Sequence, residues 1–301
     1  MIKVLMSTYN GEKYIREQLD SILNQEDVDL SILIRDDGSK DSTLDILKEY
    51  KERYSNIEYY SEPNIGCGQS FYKLILDAPK SDYYAFADQD DIWDSNKLSQ
   101  AISKLEGVSE DKPTLYCSWI RPVDKELNII PFKETDPIDA NLGMALTQAI
   151  APGCSYVFND ILLEAFKKQG IDNIDIHDWA LFRVATALDS YIYFDREAYF
   201  SYRQHENNLI GSQHNFIGHW IGRFKRFSNK DYQNIRSRMA KKLRDVYYND
   251  MSQENREKLD TFVNYDSNIS SRIKLIRDRE IGMIKKSDNL IFKILVLLGR
   301  V

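Results

Sequence analysis

Tyr83-Tyr84-Ala85-Phe86-Ala87-Asp88-Gln89-Asp90-Asp91-Ile92-Trp93 is an apolar run that ends in three carboxylates within four positions. The apolar half reads as a buried strand. A strand that ends in clustered carboxylates sets like charges together at a sheet edge, which is costly unless a cation neutralises them. Hard oxygen donors suit Mg2+ or Mn2+, ions that hold nucleotide phosphates through only one or two protein carboxylates. The same residues also read as a solvated Asp-rich turn before a helix starting near Asp94-Ser95-Asn96, because Asp is favoured in turns and N-caps.

Upstream, strand and helix signals alternate. Lys3-Val4-Leu5-Met6 is followed by a helical pattern over 12–24, Leu30-Ser31-Ile32-Leu33-Ile34-Arg35 by one over 42–54, and Ile57-Glu58-Tyr59-Tyr60 by one over 68–76. That order predicts an α/β fold with a mostly parallel, Rossmann-like sheet flanked by helices, whose ligands sit beyond the carboxyl ends of the strands. Polar clusters occupy those ends: Ser7-Thr8-Tyr9-Asn10, Asp36-Asp37-Gly38-Ser39, Glu62-Pro63-Asn64-Ile65-Gly66 and Asp88 to Asp91. Singly each reads as a turn; together they converge on one crevice. Downstream, Leu115 to Ile120 reads as a strand and Asn141 to Ala149 as helical, ahead of Pro152-Gly153-Cys154-Ser155-Tyr156-Val157-Phe158-Asn159.

The chain has 301 residues, 43% hydrophobic and 29% charged, enough for one large globular domain with an appendage. Its cysteines, Cys67, Cys117 and Cys154, form neither a CxxC pair nor an even framework, which points to a reducing cytosol and against a zinc site or disulfide scaffold. The opening apolar stretch is too short for a signal peptide, and no run approaches the roughly 20 apolar residues of a spanning helix. Residues 216–301 carry 19 Lys and Arg against 10 Asp and Glu, a net of +9, leaving 21 against 37, a net of −16, for residues 1–215. The tail mixes aromatics with cations over 216–227 and ends in the short apolar run Leu290 to Leu298. Such segments suit an interfacial helix on an anionic membrane surface, or a helix packed on its own domain or on a second subunit as a homodimer. Residues 285–301 are expected to be removable with little loss of folding. The acidic body disfavours nucleic acid.

His177-Asp178-Trp179 places a carboxylate between an imidazole and an indole, a setting that raises basicity and offers a flat face to a sugar ring; it reads equally as a helix start with Trp179 in the core. Arg203, His205 and Asn208 form a second polar cluster after Tyr199-Phe200-Ser201-Tyr202. Arg203 is suited to bidentate phosphate binding.

These motifs, in this order over residues 1 to about 211, resemble the family 2 glycosyltransferases of the GT-A fold, and within them bacterial rhamnosyltransferases of surface polysaccharide synthesis. The resemblance rests on Ser7 to Gly11, Arg35 to Thr43, Asp88 to Trp93, Gly153 to Asn159, His177-Asp178-Trp179 and Tyr202 to Gly211. It implies a GT-A catalytic domain over 1–215, with a nucleotide-binding half (1–105) and an acceptor half (106–215), and a C-terminal helical extension over 216–301. It also implies an inverting, metal-dependent transfer from a nucleotide-sugar donor, dTDP-L-rhamnose first, onto a lipid-linked glycan acceptor at the inner face of the membrane.

Residue by residue, the resemblance gives Ser7, Thr8, Tyr9, Asn10, Asp36, Asp37, Asn64, Gly66, Gln69 and Asp88 to the nucleotide, Asp37 with Asp36 reading the base. It gives Asp90, Asp88 and His205 to Mg2+ or Mn2+, with Asp90 the first choice. Asp178 becomes the catalytic base, and Asp91, Trp93, His177, Trp179, Arg203 and Asn208 face the diphosphate or the acceptor. Ser70 stands where the family often has Asn. A UDP-hexose or UDP-N-acetylhexosamine donor keeps the same fold. A nucleotidyltransferase is disfavoured by the lack of a Gly-rich phosphate loop with Lys near the first strand, and a non-catalytic glycan-binding or scaffold protein by the intact Asp90 and Asp178.

Overall fold

The computed structural model describes residues 1–108, 111–131, 140–171, 174, 176–205 and 235–301. In chain order it runs β1 (Ile2–Thr8), α1 (Ile15–Leu23), β2 (Leu30–Asp36), α2 (Thr43–Arg53), β3 (Ile57–Ser61), α3 (Cys67–Asp77), β4 (Tyr83–Ala87), β5 (Ile92–Trp93) and α4 (Lys97–Leu105). There follow β6 (Thr114–Ser118), β7 (Arg121–Val123), α5 (Leu142–Ala145), a 3-10 turn (Gly153–Ser155), β8 (Val157–Asn159), α6 (Asp160–Lys167), α7 (His177–Ala187), β9 (Tyr191–Asp195) and β10 (Phe200–Arg203). Four further helices, Ile235–Tyr247, Gln253–Val263, Ile269–Arg277 and Lys286–Leu298, complete the described chain.

The seven-stranded sheet has the order β3-β2-β1-β4-β8-β6-β9. β1 pairs in parallel with β2 and β4, and β2 with β3, so the predicted first half holds. β8 runs antiparallel to both β4 and β6, a reversal that a three-residue strand conceals because hydropathy carries no direction. A second sheet, β5-β10-β7, joins the acidic loop after β4 to the strand ending at Arg203.

β1 is near-continuously buried because both sheet faces are covered, as expected of a central parallel strand. Val4 and Met6 point to one face, where Ile15, Leu19 and Ile22 of α1 meet them at helical spacing. Leu5 points to the other, among Phe71 and Ile75 of α3 and Phe86 of β4. This second core continues through α7 into Leu243, Phe262, Leu275, Phe292, Val296 and Val301. Residues 285–301 therefore do not behave as the removable tail the sequence suggests. Each buried large apolar side chain there contributes about 1.5–3 kcal/mol, and Tyr265 bonds the backbone amide of Val301 at 2.9 Å.

Candidate active site

The carboxyl ends of β1, β2 and β4 open to the same side, and each positions part of a polar crevice. Asp36, the last residue of β2, is fully buried and satisfied: it accepts from the Gly38 and Ser39 amides at 3.1 and 3.0 Å, Thr8 Oγ1 at 3.2 Å, Ser61 Oγ at 2.7 Å and Ser39 Oγ. Asp36 and Thr8 therefore brace the turn. Gly38, at φ 79°, supplies the left-handed backbone that this turn needs.

Asp37 sits one residue further, at the head of the crevice. Its carboxylate takes the guanidinium of Arg35 and the amides of Ile65 and Gly66, both at 2.9 Å. Arg35, itself fully buried, also donates to Ser70 Oγ at 2.9 Å and to the Pro63 carbonyl at 3.1 Å. Ser70 in turn meets Ser7 Oγ at 2.6 Å. The Ser that replaces the more usual Asn thus belongs to one network that closes the 62–66 loop onto β2. Gly66 enters α3 at φ 88°, with Asn64 exposed and Gln69 half-buried near it. Tyr9 leaves its ring 47% exposed at the rim. Its backbone is clamped by Gln89, which accepts from the Tyr9 amide at 2.9 Å and donates to its carbonyl at 3.1 Å. Asn10 donates its amide to Ser39 Oγ at 2.9 Å and caps the Lys40 amide at 2.8 Å.

Behind β4 the acidic residues divide by role. Ligand atoms of Asp88, Asp91 and Cys154 lie within 4.8 Å of one another. Asp91 is buried, accepts the Arg203 amide at 3.2 Å on Oδ1, and has no partner for Oδ2. Burial, then the neighbouring Asp88 and Asp90, holds its pKa well above the usual range. Burial, then Asp90 and Asp178, pushes Asp88 up to about 7. Cys154 stays a thiol, its pKa raised first by burial and then by Asp91 and Asp88. Beneath them Lys97, buried over the Trp93 ring with Nζ 3.4 Å from the centroid, donates to the Cys154 carbonyl at 2.6 Å. Burial lowers its pKa to about 7.

Asp90 lies forward of this pair, with Oδ2 2.8 Å from His205 Nε2. The His205 ring stacks on Tyr14 at 5.2 Å. An unpartnered buried carboxylate oxygen on Asp91 beside a raised Asp88 marks an acidic cluster that a cation would neutralise, so the donor set fits a divalent ion. Asp88 and Asp91 are the carboxylates the structure gathers for it; Asp90 and His205, expected from sequence as ligands with Asp88, stand as a hydrogen-bonded pair outside that group.

Asp178 opens α7. Its carboxylate accepts the Gly153 amide at 2.9 Å and the Trp179 amide at 2.6 Å. His177 packs its ring on Phe71 at 3.9 Å, and burial lowers its pKa, leaving it neutral. Cys67, in the first turn of α3, joins the two halves: its thiol is pushed upward by burial and then by Asp88, Asp178, Asp37 and Asp90 together. The acidic loop and the α7 carboxylate meet at the 3-10 turn, through Cys154 and Gly153.

Thr8 and Asp36, expected at the nucleotide, are buried braces of the turn, and three further expected contacts are corrected. Trp93 is core, its ring against Lys97, because β5 turns it inward under α4. Trp179 is buried, with Nε1 donating to the Ala145 carbonyl at 2.6 Å and the Arg183 guanidinium 4.8 Å from the ring centroid, so no flat face meets a sugar. Arg203 directs Nε to the Asp90 carbonyl at 3.0 Å, Nη1 to the Lys125 carbonyl at 3.1 Å and Nη2 to Glu17; it braces the acidic loop from behind. Asn208 lies outside the described residues. Arg35, Gln89, Lys97 and Gly153 were given no role from sequence. An Arg closing an otherwise apolar strand and a Lys on the buried face of α4 were the available signals for two of them.

A family profile, glycosyl transferase family 2, matches residues 3–158. The chain is 35% identical to the dTDP-rhamnosyl transferase RfbG of Shigella flexneri, over 80% of this chain and 85% of that one. It is 26% identical to the uncharacterized glycosyltransferase RT0329 of Rickettsia typhi, over 82% and 78%. Among solved structures it is similar to S. aureus TarS 1–349 in complex with UDP-GlcNAc, with TM-score 0.60 and 19% identity over 93% of this chain and 76% of that one. It is also similar to the mannosyltransferase PcManGT from Pyrobaculum calidifontis in complex with GDP-Man and Mn2+, with TM-score 0.52 and 16% identity over 90% and 71%. The last two likenesses concern the fold.

Proposed function

The chain belongs to glycosyl transferase family 2 and is a glycosyltransferase of the GT-A fold, and from that premise we propose that it transfers L-rhamnose from dTDP-L-rhamnose to a hydroxyl of a lipid-linked glycan. The donor is argued from the 35% identity to a dTDP-rhamnosyl transferase across four-fifths of the chain. The site is argued from one observation, the 3-10 turn in which Gly153 donates its amide to Asp178 at 2.9 Å while the next residue, Cys154, sets its sulfur among the ligand atoms of Asp88 and Asp91.

In this reading Asp37 and the closed 62–66 loop hold the pyrimidine, with Ser7, Tyr9 and Asn10 along the nucleotide. Asp178 accepts the proton of the acceptor hydroxyl. The hydroxyl oxygen attacks the anomeric carbon from the face opposite the leaving group, the carbon–oxygen bond to the diphosphate breaks, and dTDP departs with the electron pair. Asp88 and Asp91, with the Asp90–His205 pair beside them, would hold Mg2+ or Mn2+, which when bound supplies charge stabilisation to the departing diphosphate. The Gly153 amide orients Asp178, and the buried flank of His177 and Phe71 keeps water from its other side. A lipid-linked acceptor places the enzyme at a membrane surface on its cytoplasmic side.

The test is nucleotide release by the purified protein from dTDP-L-rhamnose and from common UDP-sugars, with Mn2+, with Mg2+ and with EDTA. EDTA-sensitive release of dTDP is the expected result. Release of UDP alone overturns the donor assignment, and EDTA-resistant turnover overturns the metal.

A further inference from the structure

Twelve large apolar side chains stand exposed among the described residues, and six of them lie on two adjoining helices at the C-terminal end. Helix Lys286–Leu298 turns Phe292 and Val296 into the core, and on the opposite side exposes Leu290, Ile294, Leu297 and Leu298 at helical spacing. Helix Ile269–Arg277 buries Leu275 and exposes Ile269 and Ile273. The two are locked side by side, since Arg272 Nη1 donates to the Leu297 carbonyl at 2.7 Å, which sets the Ile269–Ile273 face beside the end of the second helix. These six side chains are 40–63% exposed.

The charge around this patch is opposite to that of the chain. Residues 269–301 carry eight Lys and Arg against three Asp and Glu, in a protein of net charge −7. Lys274, Arg277, Lys285, Lys286 and Arg300 are all exposed around it. Of the three acids, Glu280 is paired with Lys258, and Asp278 is turned onto the amides of Glu280 and Ile281.

We infer that these two helices form a docking face for an anionic membrane surface, with the apolar side chains entering the headgroup boundary and the surrounding cations meeting lipid phosphates. This deepens the membrane part of the reading above by naming the surface, and rests on that part alone. A helix of 13 residues is about 20 Å long, and no helix among the described residues is long and apolar enough to cross a membrane. The face therefore lies flat on the surface. A second copy of the chain is the poorer occupant, because apposing two such faces brings like charge together, whereas an anionic leaflet neutralises it.

Cosedimentation of the full chain with phosphatidylcholine vesicles, with and without about 30% phosphatidylglycerol, tests the inference. Binding is expected to the anionic vesicles, to fall in about 0.5 M NaCl, and to drop roughly tenfold or more in Leu290→Glu/Ile294→Glu and in Lys285→Glu/Lys286→Glu. Both pairs are exposed, so the melting temperature is expected to hold. Wild-type protein that stays in the supernatant with anionic vesicles overturns the inference. So does binding that both variants retain, or light scattering that finds a dimer dissolved by Leu290→Glu/Ile294→Glu, which would make a second copy the occupant. Donor hydrolysis read on the same samples separates the two claims: vesicle binding without turnover on any donor sinks the catalytic reading and leaves this one standing.

Discussion

Gly153 donates its amide to the carboxylate of Asp178 at 2.9 Å, and its neighbour Cys154 sets its thiol against Asp88 and Asp91. Two successive residues of one 3-10 turn thus fix the distance between the α7 carboxylate and the acidic loop after β4. Lys97 pins the same turn from below through the Cys154 carbonyl. If Asp178 is the base and the acidic loop holds the diphosphate, this turn sets where the acceptor stands relative to the leaving group.

Gly153→Ala tests that coupling. A Cβ there would stand 2.6 Å from His177 Nε2 and 3.0 Å from Asp178 Cβ, and the His177 ring is held against Phe71 and cannot swing away. The strain is expected to cost about 1–3 kcal/mol of stability and to shift Asp178 enough to lower kcat by roughly tenfold or more. Thermal unfolding and steady-state kinetics measure both; unchanged kcat with a lowered melting temperature would confine Gly153 to a packing role.

Asp178→Asn removes the proton acceptor while keeping the volume. Transfer is expected to fall by about 10²–10⁴-fold, with the nucleotide dissociation constant within roughly threefold of the parent, because the Asp37 end is untouched. Calorimetry with dTDP alongside a transfer assay reads the two effects separately. Normal turnover in this variant would remove Asp178 from the chemistry.

The convergence of loops was legible in the sequence because apolar runs and polar clusters alternate, and a parallel sheet brings the ends of β1, β2 and β4 to one side. What the pattern could not supply was orientation. Asp36 and Asp37 are neighbours with the same chemistry, and only the fold shows that one is consumed by five hydrogen bonds from its own turn, Thr8 and Ser61 while the other takes Arg35 and the amides of Ile65 and Gly66. Trp93 and Arg203 look like ligand contacts beside acidic motifs, yet the small sheet β5-β10-β7 turns both into supports. Lys293 aside, the run Leu290 to Leu298 is apolar around the helix, so hydropathy alone could not tell its buried half from its exposed one.

Arg35→Met is expected to do more damage than its distance from the chemistry suggests. The guanidinium is fully buried against Asp37, so its removal leaves a buried charge unpaired and releases Ser70 and the Pro63 carbonyl. Loss of such a partner costs about 3–5 kcal/mol. Arg35→Lys recovers only part of it, since an ammonium cannot reach Asp37, Ser70, Glu62 and the Pro63 carbonyl in one plane. Urea unfolding reports the stability term, and dTDP affinity reports whether the 62–66 loop still closes; a variant with parental stability would show that water fills the role.

Asp88 supplies a pH dependence whose sign can be worked out. Burial and the adjacent carboxylates raise its pKa to about 7, above the value near 4 expected in the unfolded chain. In metal-free protein its contribution to stability is therefore fully present below about pH 4 and is lost as pH rises through about 7. A divalent cation binds the ionised form, so below about pH 7 it must displace a proton. The increment in melting temperature on adding Mn2+ is thus expected to be larger at about pH 8 than at about pH 6. His177, whose buried neutral ring costs stability as pH falls, acts equally with and without metal and cancels in that difference. An increment that is flat or larger at the acid end would place the cation, or the proton, somewhere other than this cluster.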